Sequence, residues 1–163
     1  MTPEEFKRHL AAMTERSQQF IDHEAPHIAA GIAVSDFKQN FRRESFDGVE
    51  WQEVKRRDDK SSAYKYAARH HPARTSRKIL TGDTGDLGRS IEIKSVEQGR
   101  ATIWTSPQAF GSKEPYGAVH NEGLKAGRGA GFTMPRRQFI GDTDELRRKT
   151  IDALRKGLDR LIK

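Results

Sequence analysis

The sequence predicts an α+β domain, with helices at the N-terminus and C-terminus packed on a small antiparallel β-sheet. Three observations predict it. Apolar residues recur at spacings of three and four near both ends of the chain. Residues 90–105 alternate apolar and polar on either side of a glycine-containing turn. The remaining stretches are turn clusters and glycines of the kind that join such elements. The length of 163 residues fits one domain, read as 1–163.

Thr2-Pro3-Glu4-Glu5 is a helix start. Thr2 is the N-cap, Pro3 takes the first helical position, and Glu5 completes a capping box. Phe6, Leu10, Met13, Ser17, Phe20 and Ile21 fall on one face, so helix is expected to about Glu24. Pro26 disfavours helix at Ala25, which predicts a break or kink there. Ile28, Ile32, Phe37 and Phe41 then resume helical spacing, with Ala29, Ala30 and Ala33 as a narrow side. Such an opening has little apolar surface per turn and needs a sheet or a neighbouring subunit to lie on.

Phe46-Asp47-Gly48 is a turn, and Trp51 follows on an extended piece, where it caps the edge of the core. Residues 55–78 are polar and basic. They read as a surface excursion, partly disordered in isolation, with a short helix around Ser62–Arg69. Ile79 and Leu80 re-enter the core, 81–85 is a turn cluster, and 86–89 is one turn of helix. In the hairpin, Ile91 and Ile93 share one face, and Gly99 serves a connection where φ > 0 is needed. Tyr116 to Gly123 is a short helix stopped by Gly123. A flexible glycine-rich loop over 123–131, carrying Lys125 and Arg128, leads to a second anchored segment, Phe132 to Ile140. Asp142 is the expected N-cap of the last helix and Glu145 its capping-box partner. Leu146, Ile151, Leu154, Leu158, Leu161 and Ile162 form its apolar face, and cations crowd its C-terminal end, where the helix dipole favours them.

Apolar residues make up 34% of the chain and charged residues 33%, so the core is modest. There are no cysteines, which excludes disulfides and thiolate metal sites. No apolar run is long enough to cross a bilayer, and the N-terminus lacks a signal-peptide core, so a soluble protein made in the cytoplasm is expected. The net charge of +7 is uneven: residues 42–78 carry +5 and 123–163 carry +6, while 1–41 and 79–122 each carry −2. Basic and acidic segments of this kind suit nucleic-acid binding by counterion release, or a head-to-tail ring that joins a basic surface to an acidic one.

Catalytic patterns are looked for and not found. His23 and His27 are four apart, but Pro26 interrupts their helix and no further ligands accompany them. His70 and His71 are adjacent, so their rings are expected to point apart in a basic loop. Asp83-Thr84-Gly85 is a single copy without the apolar flanks of an aspartic protease. Neither glycine cluster has phosphate-loop spacing. His120 has no nucleophile motif or spaced carboxylate beside it, so it is read as structural, spanning a buried hydrogen bond to a carbonyl of the glycine-rich loop. No enzyme activity, metal or cofactor is expected. Arg136 and Arg137, with Lys125 and Arg128, form a basic patch. Pro135 fixes their backbone, and the acidic segment 79–122, with Asp83, Asp86, Glu114 and Glu122, is the natural partner on a neighbouring copy. The competing arrangement has one arginine pairing within its own subunit and pinning the loop to the last helix.

Four motifs occur in order. Phe41, Phe46-Asp47-Gly48 and Trp51 make the first. Ile79-Leu80-Thr81-Gly82 with Gly85, Leu87, Ser90 and Ile91 makes the second. Tyr116, His120-Asn121 and Gly123 make the third, and Met134-Pro135-Arg136-Arg137 with Phe139-Ile140-Gly141 makes the fourth. Together with the C-terminal helix, this series resembles the phage virion morphogenesis family, the tail-completion proteins of Mu-like phages. The resemblance runs from about Ala29 onward. It departs at the duplicated turn 82–85, and 55–78 has no counterpart. It implies a non-enzymatic structural protein of a tailed phage or prophage that works in tail completion or head–tail joining as a homo-oligomeric ring. It implies tail-tube or head–tail connector proteins as partners, and the host cytoplasm during assembly and then the virion as location. It gives Tyr116, His120, Gly123, Met134, Pro135, Phe139, Trp51, Gly82 and Leu87 as structural-motif positions. A basic nucleic-acid-binding domain is the alternative, with DNA contact possible but not required.

Overall fold

Helix α1 spans Pro3–Gln19, and its start is the expected capping box. Thr2 Oγ1 accepts from Glu5 N at 3.1 Å, and Glu5 Oε2 accepts from Thr2 N at 2.7 Å. The expected break at Ala25 is absent. Phe20–Glu24 forms one π-helical turn and runs directly into α2, Ala25–Arg43. The physical reason lies in Pro26, which has no N–H to donate to Asp22 O four residues earlier. That carbonyl accepts Gly99 N instead, at 2.9 Å. The proline thus frees a helix carbonyl for the tip of the hairpin, and Asp22 Oδ2 holds the same tip through Gln98 Nε2 at 2.9 Å.

The computed structural model describes residues 1–110, 116–127 and 129–162. Its fold class is α+β, as the periodicities predict. Among the described residues the β-structure is three separate two-stranded ribbons rather than one sheet: β1 (Ser45–Phe46) with β2 (Val49–Glu50), β3 (Ile91–Glu97) with β4 (Arg100–Thr105), and β5 (Lys125–Ala126) with β6 (Phe132–Thr133). In the first, Phe46 opposes Val49 across Asp47-Gly48. Both turn residues have positive φ, 50° and 77°, as a two-residue hairpin turn requires.

Residues 55–78 contain the short helix expected around Ser62–Arg69, and more local structure beside it. They hold a 3₁₀ turn at Lys55–Arg57, helix α3 (Ser62–His70) and a 3₁₀ turn at Pro72–Thr75. Ser61 Oγ caps α3 by accepting Tyr64 N at 3.0 Å. The rings of His70 and His71 lie 4.6 and 6.5 Å from that of Tyr66. Helix α4 is the single turn Asp86–Arg89, α5 is Gly117–Glu122, and α6 is Asp144–Ile162. The N-cap of α6 is Thr143 rather than Asp142: Thr143 Oγ1 accepts Leu146 N at 3.1 Å, while Asp142 turns outward to Arg147. Ile151, assigned to the apolar face of α6, is 54% exposed.

Where one domain over 1–163 is expected, the chain forms two compact units, each drawn from separate segments. The first comprises Met1–Ser35, Ile93–Ile103 and Asp142–Lys163. In it α1 packs beside α6, and Phe20 is buried against Gly157, where an added Cβ would lie 2.6 Å from Phe20 Cε2. The second comprises Asp36–Glu92 and Trp104–Gly141. Its core holds Phe37, Phe41, Trp51, Ile79, Leu87, Phe110 and Phe139.

Candidate functional site

After β6 the chain from Met134 to Gly141 belongs to no helix or strand. A buried irregular segment must still satisfy its backbone polar groups. Here side chains from elsewhere in the second unit do so. Asn121 Oδ1 accepts from Phe139 N at 2.9 Å and Ile140 N at 3.0 Å. Asn40 Nδ2 donates to Phe139 O at 3.1 Å, and Trp51 Nε1 donates to Gln138 O at 2.8 Å. The backbone closes the rest: Arg137 N donates to His120 O at 2.8 Å and Met134 N to Leu124 O at 3.0 Å. Phe139, fully buried, is the hydrophobic half of this clamp. Its ring lies 5.0 Å from that of Phe41, which meets Trp51 edge-on at 5.6 Å.

Two glycines let the clamp close. Gly123 ends α5 in the left-handed region at φ 70°, and a Cβ there would approach Arg136 Cβ at 3.0 Å and Met134 O at 3.1 Å. Gly117 begins α5 against Thr105, whose Oγ1 would lie 2.7 Å from an added Cβ.

The two arginines have different fates. Arg137 is 6% exposed, and its Nε and Nη2 donate to Gln52 O at 3.0 and 2.9 Å. This corrects the expectation that both face a neighbour. The backbone bond to His120 O turns the side chain inward, and it pins residues 134–141 to the Trp51 segment rather than to α6. Arg136 is exposed and donates to Gln138 Oε1 at 2.7 Å. Lys125 and Glu122 are also exposed, the latter accepting from Asn121 Nδ2. Lys125 is part of β5 rather than of a loop, which shortens the expected glycine-rich linker. Arg128 and Glu114 lie outside the described residues.

His120 does not span the expected hydrogen bond. Its Nδ1 is buried with no partner, and its ring meets Tyr116 edge-on at 5.7 Å. Burial, and secondarily the Arg137 guanidinium, hold its pKa below the ordinary histidine value. Tyr116 in turn packs on Phe110 at 4.8 Å, and burial, with Asp86 adding, raises its pKa. Met134 and Pro135 are half-buried, Leu87 is fully buried, and Gly82 is exposed at φ 54°. His23 and His27 are exposed, and among the described residues no group of three or more potential ligands could hold a metal ion. No described helix is long and apolar enough to cross a membrane.

Sequence reasoning passed over Asn40 and gave Asn121 a motif position but no role, although these side chains meet the backbone of Phe139 and Ile140. The available signal was an asparagine in the last turn of a short helix, where it contributes little to helix propensity. The clamp's polar groups are spent on the protein's own backbone, so its chemistry is to fix one segment and present Arg136, Lys125 and Glu122. No curated protein and no solved structure matches the chain. The phage virion morphogenesis family matches residues 7–159, beginning well before Ala29 and covering nearly the whole length. At that extent, the chain belongs to the phage virion morphogenesis family.

Proposed function

We infer that this family member is a non-enzymatic structural protein that acts in tail completion or head–tail joining by assembling into a ring. The observation that carries the reading is helix α1. It has 17 residues, none of them buried, and its apolar stripe leaves Phe6 52% and Leu10 46% exposed. The same unit holds an apolar groove of about 390 Å³, lined by residues such as Ile21, Ala29, Ala33, Ala101, Ile103 and Leu154. Exposed apolar surface on a chain this charged is characteristic of a contact face. Stripe and groove are different surfaces of one chain, which is the condition for head-to-tail joining, and such joining gives a ring where the rotation between copies closes. Arg136 and Lys125 against Glu122 add charge of both signs. The enclosed, unpartnered His120 supports a non-catalytic reading, because a general base needs an orienting partner. Tail-tube or head–tail connector proteins are the partners on this reading, with assembly in the host cytoplasm and residence in the virion.

Native mass spectrometry tests it. The expected result is a closed oligomer, alone or with tail tubes, that Leu10→Glu reduces to folded monomers. A wild-type protein that stays monomeric in both settings overturns the reading. Strong DNA retention that falls with salt would favour the nucleic-acid-binding alternative.

A further inference from the structure

Apart from the clamp, the second unit has a cleft of about 310 Å³ lined by Arg56, Arg74, Arg77, Gly82 and Asp83. Three guanidinium groups meet there with one carboxylate. Asp83 serves two of them. Arg74 Nε donates to Asp83 Oδ1 at 3.0 Å and Arg74 Nη2 to Oδ2, while Arg77 Nη1 donates to Oδ1 and to Gly82 O, the latter at 3.1 Å. Arg56 is left with a carbonyl. Its Nη2 donates to Lys78 O at 2.9 Å, and its Nη1 is enclosed with no acceptor. An enclosed guanidinium N–H without an acceptor is costly, so a small movement of the Arg56 side chain that brought Nη1 to an acceptor in the cleft would be favourable. Burial first, and then the neighbouring Arg57, lower the pKa of Arg56, against the opposing pull of Glu53 and Glu44. The cleft is open on the glycine side, since a Cβ at Gly82 would meet nothing within 4 Å.

We propose that this cleft binds a phosphate-class oxyanion, which Arg56 reaches by a small movement of its side chain and which shares Arg74 and Arg77 with Asp83. Guanidinium forks match the paired oxygens of such a group, and three of them converge here. Asp83 occupies the cleft as an internal competitor. Its side chain is half exposed and can give way without leaving a buried charge. The site reads charge and oxygen geometry alone, and it stands independently of the ring-assembly reading.

The test is calorimetric titration and thermal unfolding of the full chain with inorganic phosphate, against chloride at matched ionic strength. Phosphate is expected to raise the melting temperature saturably and chloride not to. Asp83→Asn, which removes the competitor, is expected to bind phosphate roughly fivefold tighter. Arg56→Gln is expected to bind it roughly tenfold weaker, and Arg74→Gln, at a more exposed position, serves if the Arg56 variant does not fold. A short DNA duplex that displaces phosphate identifies a phosphodiester as the natural source. Failure to displace identifies free phosphate or a monoester. Equal melting in phosphate and chloride for both wild type and Asp83→Asn overturns the proposal, as does wild-type affinity in the folded arginine variants.

Discussion

Asn121 and Phe139, eighteen residues apart, are joined by a bond in which Oδ1 of the first accepts the backbone N–H of the second at 2.9 Å. The same oxygen accepts Ile140 N, so one side-chain atom stands in for a β-strand partner. Asn121→Ala leaves two part-buried N–H groups without an acceptor and is expected to cost roughly 2–4 kcal/mol. Asn121→Asp keeps the acceptor and is expected to cost much less at neutral pH. Urea unfolding of the two variants checks this, and equal losses would count against the clamp.

Gly157 predicts a reversal of sign. In the middle of a helix, Gly→Ala ordinarily stabilises by about 1 kcal/mol. Here the methyl would overlap the buried ring of Phe20, so Gly157→Ala is expected to destabilise by roughly 1–3 kcal/mol. Combining it with Phe20→Leu should recover part of the loss. A double-mutant cycle that shows no coupling would rule the contact out.

The adjacent arginines are expected to separate cleanly. Arg137→Ala strips a charged donor pair from Gln52 O and is expected to cost roughly 2–3 kcal/mol. Arg136→Glu is expected to change stability by no more than about 0.5 kcal/mol. On the ring-assembly reading it nevertheless impairs oligomer formation, and Glu122→Arg partly restores it. Melting curves give the first contrast and native mass spectra the second.

Two acid limbs are expected in stability against pH. The folded pKa of His120 is lowered, so the unfolded chain takes up its proton first. The contribution is whole above about pH 6.5 and is lost as pH falls below that. Burial alone would raise the pKa of Glu44, but hydrogen bonds from Arg57 and from Ile79 N outweigh it, and the net shift is downward. Its contribution is therefore present above about pH 4.3 and is lost as pH falls further. His120→Gln should remove the first limb and Glu44→Gln reduce the second, to which Asp22 and Asp83 also contribute, as read by unfolding midpoints across pH.

The sequence made the fold class legible because the relevant signals are local. Thr2 and Glu5 form their capping box, Gly123 and Gly99 take positive φ, and the 90–105 alternation is a ribbon. It misled at Ala25, where tertiary structure uses Pro26: the rule that proline breaks helices assumes that the orphaned carbonyl faces water, and here Gly99 supplies the missing donor. It misled at Arg137 because adjacent charges read as surface, and no local pattern reveals that Gln52 offers a carbonyl 85 residues away. The site was legible as a place, through its glycines and Met134-Pro135, but not as a mechanism, because Asn40 and Asn121 act on backbone far off in the chain.

The first compact unit is assembled from residues 1–35, 93–103 and 142–163, and this sets an order on its formation during synthesis. The segments of the second unit all precede Asp142, so its core can close while α6 is still inside the ribosome. The first unit cannot, because Phe20 has no Gly157 to lie against until α6 has emerged. Helix α1 must therefore wait for α6 with its apolar face uncovered. A competing surface offered in that interval, by a chaperone or by a copy already finished, meets a helix that has not yet found its own partner.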